Sequence, residues 1–372
     1  MSAVPDVVRA ARFSQGLPGA RTTGRPGVLA TAPAELPTVA GLTALGASPV
    51  SPRRSPSRCL AWYSRLLLRI LLLGFASCLA TPAPALGEDP TPESPPWLAV
   101  KTWLYQLQRL KVQEVVASAF DLVVMDPYPE ENARVLHPRD TIARLKRKPD
   151  GGRRLLLAYL SIGEAESYRP YWKAGWRPGS PAWLAEQNPR WRGNYKVRYW
   201  DPEWQRILFG SPESALDQII AAGFDGVYLD IIDAYEYFEE RGIRDARIRM
   251  VNLVRALATY ARERSGKPSF GVFPQNGEEL ADDPSYLAVI TGLGREGLYF
   301  GDERTGVATR ARRIQEMEQA LDTLVRQGKL VLVVDYTTNP AQVKEAHRRA
   351  RLQGYVPYCT VPSLDRMVLS PE

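Results

Sequence analysis

Histidine is nearly missing from this chain: 372 residues contain only His137 and His347. That scarcity excludes a His-rich zinc site and leaves little room for a Ser-His-Asp triad. Cysteine is as sparse, with Cys59, Cys78 and Cys359, of which only Cys359 lies beyond residue 96. A disulfide scaffold is therefore excluded, and a core of this size needs none. No Gly-rich phosphate loop follows the first apolar run, which argues against an open doubly wound sheet. No coiled-coil heptad is present to set an oligomeric state.

Charge of one sign is also lacking where it would matter. The first 96 residues hold nine Arg, no Lys and five acids; the remaining 276 hold 39 basic and 36 acidic side chains. The formal net charge of +7 thus comes largely from the leader. No concentrated basic patch or reading module points to nucleic acid. What is present is a 45% hydrophobic composition with nine Trp and seventeen Tyr, the make-up of a folded domain.

Residues 1–58 form a leader rich in Ala, Pro, Gly and Ser. Residues 59–80 place arginines around a short apolar run, LLLRILLLGFASCLA, the pattern of a secretory signal. Its length and Arg69 argue against a membrane span. A signal normally stands at the start of a chain, so a true start downstream of Met1 would reconcile pattern and position. Phe75-Ala76-Ser77-Cys78 is similar to a bacterial lipoprotein box, which makes Cys78 a candidate for lipid attachment to a membrane. Residues 81–96 read as a Pro-rich tether. The expectation is an extracytoplasmic protein: secreted, periplasmic or lipid-anchored.

From residue 97 to 372, short apolar runs alternate with helical stretches. Strands are predicted at 103–107, 122–125, 155–159, 227–229, 270–273, 297–300, 330–334 and 355–358. Several are continuous hydrophobic runs, as parallel strands covered on both faces require. Helices are predicted at 112–119, 212–222, 247–264, 305–326 and 341–352, with Ser211 as an N-cap and Gly223 and Gly266 as stops. Eight strands with intervening helices specify an α/β fold, a closed (β/α)₈ TIM barrel.

Acids recur where these strands end: Asp126, Glu164 and Glu166, Asp230, and Asp335, with Asn276 after the fifth strand. In a barrel they converge on the C-terminal mouth, where catalytic loops meet. Two carboxylates there suit glycosidic hydrolysis, one delivering a proton and the other supplying negative charge. Singly, each strand-end Asp reads rather as a cap or loop acceptor, and it is their convergence that favours a site. Asp225, at the start of its strand, reads as structural. Between strands three and four aromatics crowd, among them Tyr168, Tyr171, Trp172, Trp176 and Trp183, suited to sugar faces or to a buried excursion. Tyr235 follows Asp230 as a wall residue, and Arg169 would pair with acids or meet ligand.

The segments WLYQLQ (103–108), DLVVMDPY (121–128), YLSIGEAESYRPYW (159–172), NYKVRYWDPEWQ (194–205) and GFDGVYLDIIDAYEY (223–237) carry a family resemblance. Over about 97–362 the chain resembles the glycoside hydrolases related to family 114, which include endo-α-1,4-polygalactosaminidases. The resemblance implies a TIM barrel and no cofactor. It places the family glutamate on Glu166, as general acid/base, and its partner on Asp126; the strand-end pattern adds Asp230, to orient substrate, support Glu166 or bind a polar group. From the residues themselves, Tyr128, Glu164, Tyr168, Arg169, Trp172, Tyr235, Asn276 and Asp335 are the expected substrate contacts. The extra acid Glu164 and the pair Ser167-Tyr168 depart from the family segment. The leading expectation is hydrolysis of an extracellular polysaccharide. The alternatives are a non-catalytic carbohydrate-binding barrel and a metal-dependent hydrolase using Asp126, Asp230 and Asp335.

Overall fold

The computed structural model describes residues 96–369. The leader, the signal-like segment with Cys78, and nearly all of the tether lie outside the described residues.

Short runs buried on both faces make the strands, and stretches with one apolar side make the helices that cover them. The chain forms β1 (Trp103–Gln106), α1 (Val112–Ala117), β2 (Leu122–Met125), α2 (Arg139–Leu145) and β3 (Leu155–Ser161). An excursion follows, with β4 (Glu164–Glu166), β5 (Leu184–Gln187), β6 (Asn194–Val197) and α3 (Pro202–Leu208). Next come α4 (Ala215–Ala222), β7 (Gly226–Asp230), α5 (Ala234–Glu239), α6 (Ala246–Ser265) and β8 (Gly271–Pro274). The last part contains α7 (Pro284–Val289), β9 (Gly292–Glu296), α8 (Ala311–Arg326), β10 (Leu330–Tyr336), α9 (Pro340–Leu352) and β11 (Val356–Thr360).

The domain is α/β with mixed sheets. Five parallel strands run in the order β1-β2-β3-β7-β8, three more in the order β11-β10-β9, and β4-β6-β5 form a small antiparallel sheet. The parallel sets meet where Gln275 bridges Gly294 and the Asn276 N–H donates to the Gly294 carbonyl at 2.8 Å. Ser161 of β3 is level with Asp230 of β7, so loops leaving neighbouring strands emerge together.

The sixth strand is Gly292–Glu296, not 297–300. GLGRE has two glycines and two charges and gives no β signal of its own. The glycines are there for space: a Cβ at Gly292 would lie 2.2 Å from the Leu330 carbonyl, and one at Gly294 1.9 Å from the Tyr228 hydroxyl. Residues 297–300 instead turn, with Gly297 at φ 64. Gly223 and Gly266 do close α4 and α6 in the left-handed region. α4 starts after Ser214 rather than Ser211, and the Ser214 hydroxyl, instead of capping the helix, donates to the Arg206 carbonyl at 2.8 Å. The helix predicted from 305 begins at Ala311.

The excursion after β3 is packed rather than loose. Trp183, Tyr199 and Trp204 are buried in it, and the Trp204 indole donates to the Ile162 carbonyl at 2.9 Å. At the opposite strand ends Asp225 accepts from Lys146 at 2.8 Å, Arg153 at 2.6 Å and the Leu156 N–H at 3.0 Å, a structural role.

Candidate active site

Asp230 ends β7 and is buried. Its Oδ2 accepts from the Tyr159 hydroxyl at 2.6 Å and its Oδ1 from the Ile231 N–H at 2.8 Å. Ile231 adopts φ 64, a conformation that β-branched residues rarely take. This turn aims its amide back at the carboxyl it follows, and strain of this kind is characteristic of functional sites.

Glu296 ends β9 and is also buried. Its Oε1 accepts from the Tyr336 hydroxyl, and its Oε2 accepts from Asn276 Nδ2 at 3.0 Å. Burial, and then the charge of Asp230, push its carboxyl up to about 7, against the pull of donors on Tyr336, Asn276 and Gln275. Sequence reading missed Glu296 because it started the sixth strand at residue 297, five residues too late. The available signal was an acid at the end of GLGRE, in the position Asp230 holds at the end of GVYLD.

Tyr105, Tyr228 and Tyr336 surround these acids. Burial raises all three hydroxyls well above their ordinary range; for Tyr336 the charge of Glu296 follows as the next cause. All three stay protonated at any physiological pH, and Tyr105 and Tyr336 donate, to Gln275 and Glu296.

A second cluster joins Asp126 and Glu166. Arg169, itself buried, makes a two-pronged contact with Asp126 at 2.8 and 2.9 Å and reaches Glu166 Oε2 with Nε at 2.6 Å. Burial works against its charge, but Asp126 and then Glu166 outweigh burial and hold the guanidinium protonated. The rings of Tyr128, Tyr159 and Tyr168 lie 5.2, 5.8 and 5.1 Å from its central carbon. Tyr168 also donates to Glu166 Oε1, and the Tyr128 N–H donates to Asp126 Oδ1 at 3.0 Å. Tyr159 joins the two clusters, its ring beside Arg169 and its hydroxyl on Asp230.

The other anticipated contacts are placed less uniformly. Glu164 is fully buried and accepts from Asn188 at 2.9 Å and Lys196 at 3.2 Å, fastening β4 within its sheet. Trp172 packs against Trp176 and Tyr195. Tyr235 donates to Glu279. Asn276 is turned to Glu296. Asp335 does not join the acids: its Oδ1 accepts from the Tyr299 and Phe300 N–H groups at 2.7 and 2.8 Å, so it fastens the turn after β9. Asp126, Asp230 and Asp335 therefore have separate partners, and among the described residues no three acids, histidines or cysteines are arranged to hold a metal ion.

The arrangement has the elements of acid/base chemistry. One carboxyl carries its proton near neutrality, and a neighbouring carboxyl is held by an O–H and an N–H donor. The model of glycoside-hydrolase family GH114 matches residues 83–372. A Deinococcus radiodurans protein is 39% identical over 295 residues, covering 78% of this chain and 90% of that one. The glycoside hydrolase domain of PelA from Pseudomonas aeruginosa superposes with a TM-score of 0.56 at 20% identity, over 73% of this chain and 98% of that one. Aspergillus fumigatus Ega3, solved in complex with galactosamine, superposes with 0.55 at 18% identity, over 76% and 98%. At these identities the two structures establish likeness of fold.

Proposed function

The chain belongs to glycoside-hydrolase family GH114, and on that premise we propose that it cleaves an extracellular polysaccharide containing α-1,4-linked galactosamine. The observation that carries the reading is Glu296, a buried carboxyl raised to about 7 beside Asp230. A glycosidase needs one acid that still holds a proton to give to the leaving oxygen, and one carboxylate to face the developing positive charge. Glu296 is assigned the first role and Asp230 the second. This moves the reacting pair away from Asp126 and Glu166, whose oxygens are engaged by Arg169. Those two acids, with Arg169, Tyr128 and Tyr168, are assigned the neighbouring wall of the substrate cleft.

The eight parallel strands are read as the staves of one (β/α)₈ barrel. Closure between β11 and β1 is supported by the Trp103 and Tyr358 rings at 5.9 Å and by the Leu107 N–H donating to the Leu364 carbonyl at 2.9 Å. Action outside the cytoplasm is supported by the signal-like pattern at 59–80, with Cys78 the residue a lipid anchor would use. The galactosamine in the Ega3 complex motivates the choice of polymer.

The test is product analysis by mass spectrometry after incubation of the protein with partly deacetylated galactosamine polymers and with neutral glycans. Release of galactosamine-containing oligosaccharides supports the reading. Binding without release from any polymer moves it to the carbohydrate-binding alternative.

A further inference from the structure

We propose that Asn276 is a positioning residue for Glu296, with Arg295 fixing its amide so that the NH₂ group always faces the Glu296 carboxyl. The inference rests on the acid role given to Glu296 above and names what steadies it. Two donors converge on Asn276 Oδ1: Arg295 Nη1 at 2.9 Å and the Glu296 N–H at 3.2 Å. Neither donor has a lone pair to offer, so the atom they meet must be the amide oxygen. The amide nitrogen is thereby directed to Glu296 Oε2 at 3.0 Å. A flipped amide would set three N–H groups against one another and leave the carboxyl facing an oxygen.

Arg295 is itself held. It is buried, its Nη2 donates to Asp302 Oδ1 at 3.3 Å, and its Nη1 lies 3.7 Å from Glu278 Oε2. Its Nε is directed to the Met317 sulfur at 2.9 Å. The planar fork is what permits one side chain to serve Asn276 and Asp302 together, and a lysine has no such geometry. Asn276 adopts φ 60, a conformation that Asn tolerates better than most residues.

The effect on Glu296 follows from the donor. An N–H directed at Oε2 favours the carboxylate over the acid, and a proton on Oε2 would collide with it. Asn276 is not alone around this carboxyl. Asp230 and Tyr228 face it from β7, Tyr336 from β10 and Tyr105 from β1, with Gln275 beside Asn276 at the end of β8. Gln275 is oriented similarly, its Oε1 accepting from the Tyr105 hydroxyl at 2.8 Å. Burial and Asp230 raise the proton affinity of Glu296, and the amides lower it. In this balance Asn276 prevents Glu296 from staying protonated through the whole working range.

The test is direct titration of the Glu296 carboxyl by carbon-13 NMR of glutamate-labelled protein, assigned with Glu296→Gln, alongside the pH profile of kcat/KM. Asn276→Gly removes the donor at a backbone position glycine accepts, and Asn276→Asp keeps the shape while replacing the NH₂ by oxygen. Both are expected to raise the Glu296 midpoint, by about one pH unit for the loss of one such donor, and to carry the alkaline limb of the profile with it. Arg295→Lys keeps the charge and is expected to raise the midpoint in the native background but not in Asn276→Gly. A midpoint within a few tenths of a unit of the native value in both Asn276 variants, with folding intact by circular dichroism, overturns the proposal. Full activity in Glu296→Gln together with a moved midpoint upholds the role of Asn276 and removes the catalytic role of Glu296. The two ideas can therefore fail separately.

Discussion

The Tyr159 hydroxyl donates to Oδ2 of Asp230 at 2.6 Å. The two residues stand on adjacent parallel strands, β3 and β7, so the contact is fixed by the sheet rather than by a mobile loop. Together with the Ile231 N–H it defines which lone pairs of Asp230 remain available to a substrate. A hydrogen bond to a charged group is worth roughly 1.5–3 kcal/mol. Tyr159→Phe is accordingly expected to lower kcat by about 10- to 100-fold with little change in KM. Unchanged kcat in a folded variant would show that Asp230 needs no such partner.

Arg169 bridges Asp126 and Glu166. Arg169→Met would take this cation away from two buried carboxylates, at a cost of about 3–5 kcal/mol. Adding Asp126→Asn and Glu166→Gln removes the stranded charge and is expected to recover most of that loss. Urea unfolding of the single and triple variants measures it, and a harmless Arg169→Met would contradict the assignment.

Asp335 is buried, and burial first of all pushes its carboxyl up to about 7, against the pull of the Phe300 and Tyr299 amides. The folded protein therefore binds this proton more tightly than the unfolded chain. The resulting stabilisation is fully present below the unfolded value of 3.8 and is lost as pH rises through about 7. Asp335→Asn keeps an oxygen for the two amides and cannot ionise. Its Tm relative to the native protein is expected to improve from pH 5 to pH 8, by an amount on the order of a few kcal/mol in stability. A Tm difference that does not vary with pH would show that Asp335 does not titrate there.

Much of this site was legible in the sequence, for identifiable reasons. Seven of the eight parallel strands announced themselves as apolar runs, and Asp230 stood at the end of one of them. β9 did not, because its glycines are chosen to make room for Tyr228, Phe273 and the Leu330 carbonyl, contacts that no local pattern encodes. Losing β9 meant losing Glu296. Asp126, Glu166 and Arg169 were all expected at the site, but their mutual neutralisation depends on a turn after β4 that brings Arg169 back three residues later. Asp335 is set apart from the other acids for a simpler reason. Successive residues of a strand face opposite ways, and Tyr336, not Asp335, points to Glu296.

The close approach at Gly294 bears on stability as well. Gly294→Ala would drive a methyl into the Tyr228 ring, 1.9 Å from its oxygen and 2.5 Å from Cζ. Overpacking of this kind costs about 1–3 kcal/mol. Denaturant unfolding is expected to show the loss, and an unaffected midpoint would mean that β7 and β9 are spaced more widely than described.

The most direct test compares two pairs of conservative variants on one partly deacetylated galactosamine polymer. Glu296→Gln and Asp230→Asn are expected to lose about 10²- to 10⁴-fold in kcat/KM, and Glu296→Gln to lose the alkaline limb near pH 7. Glu166→Gln and Asp126→Asn are expected to lose less and to keep that limb. Abolished activity in Glu166→Gln, with Glu296→Gln folded and fully active, would contradict the account and return the chemistry to the Arg169 cluster.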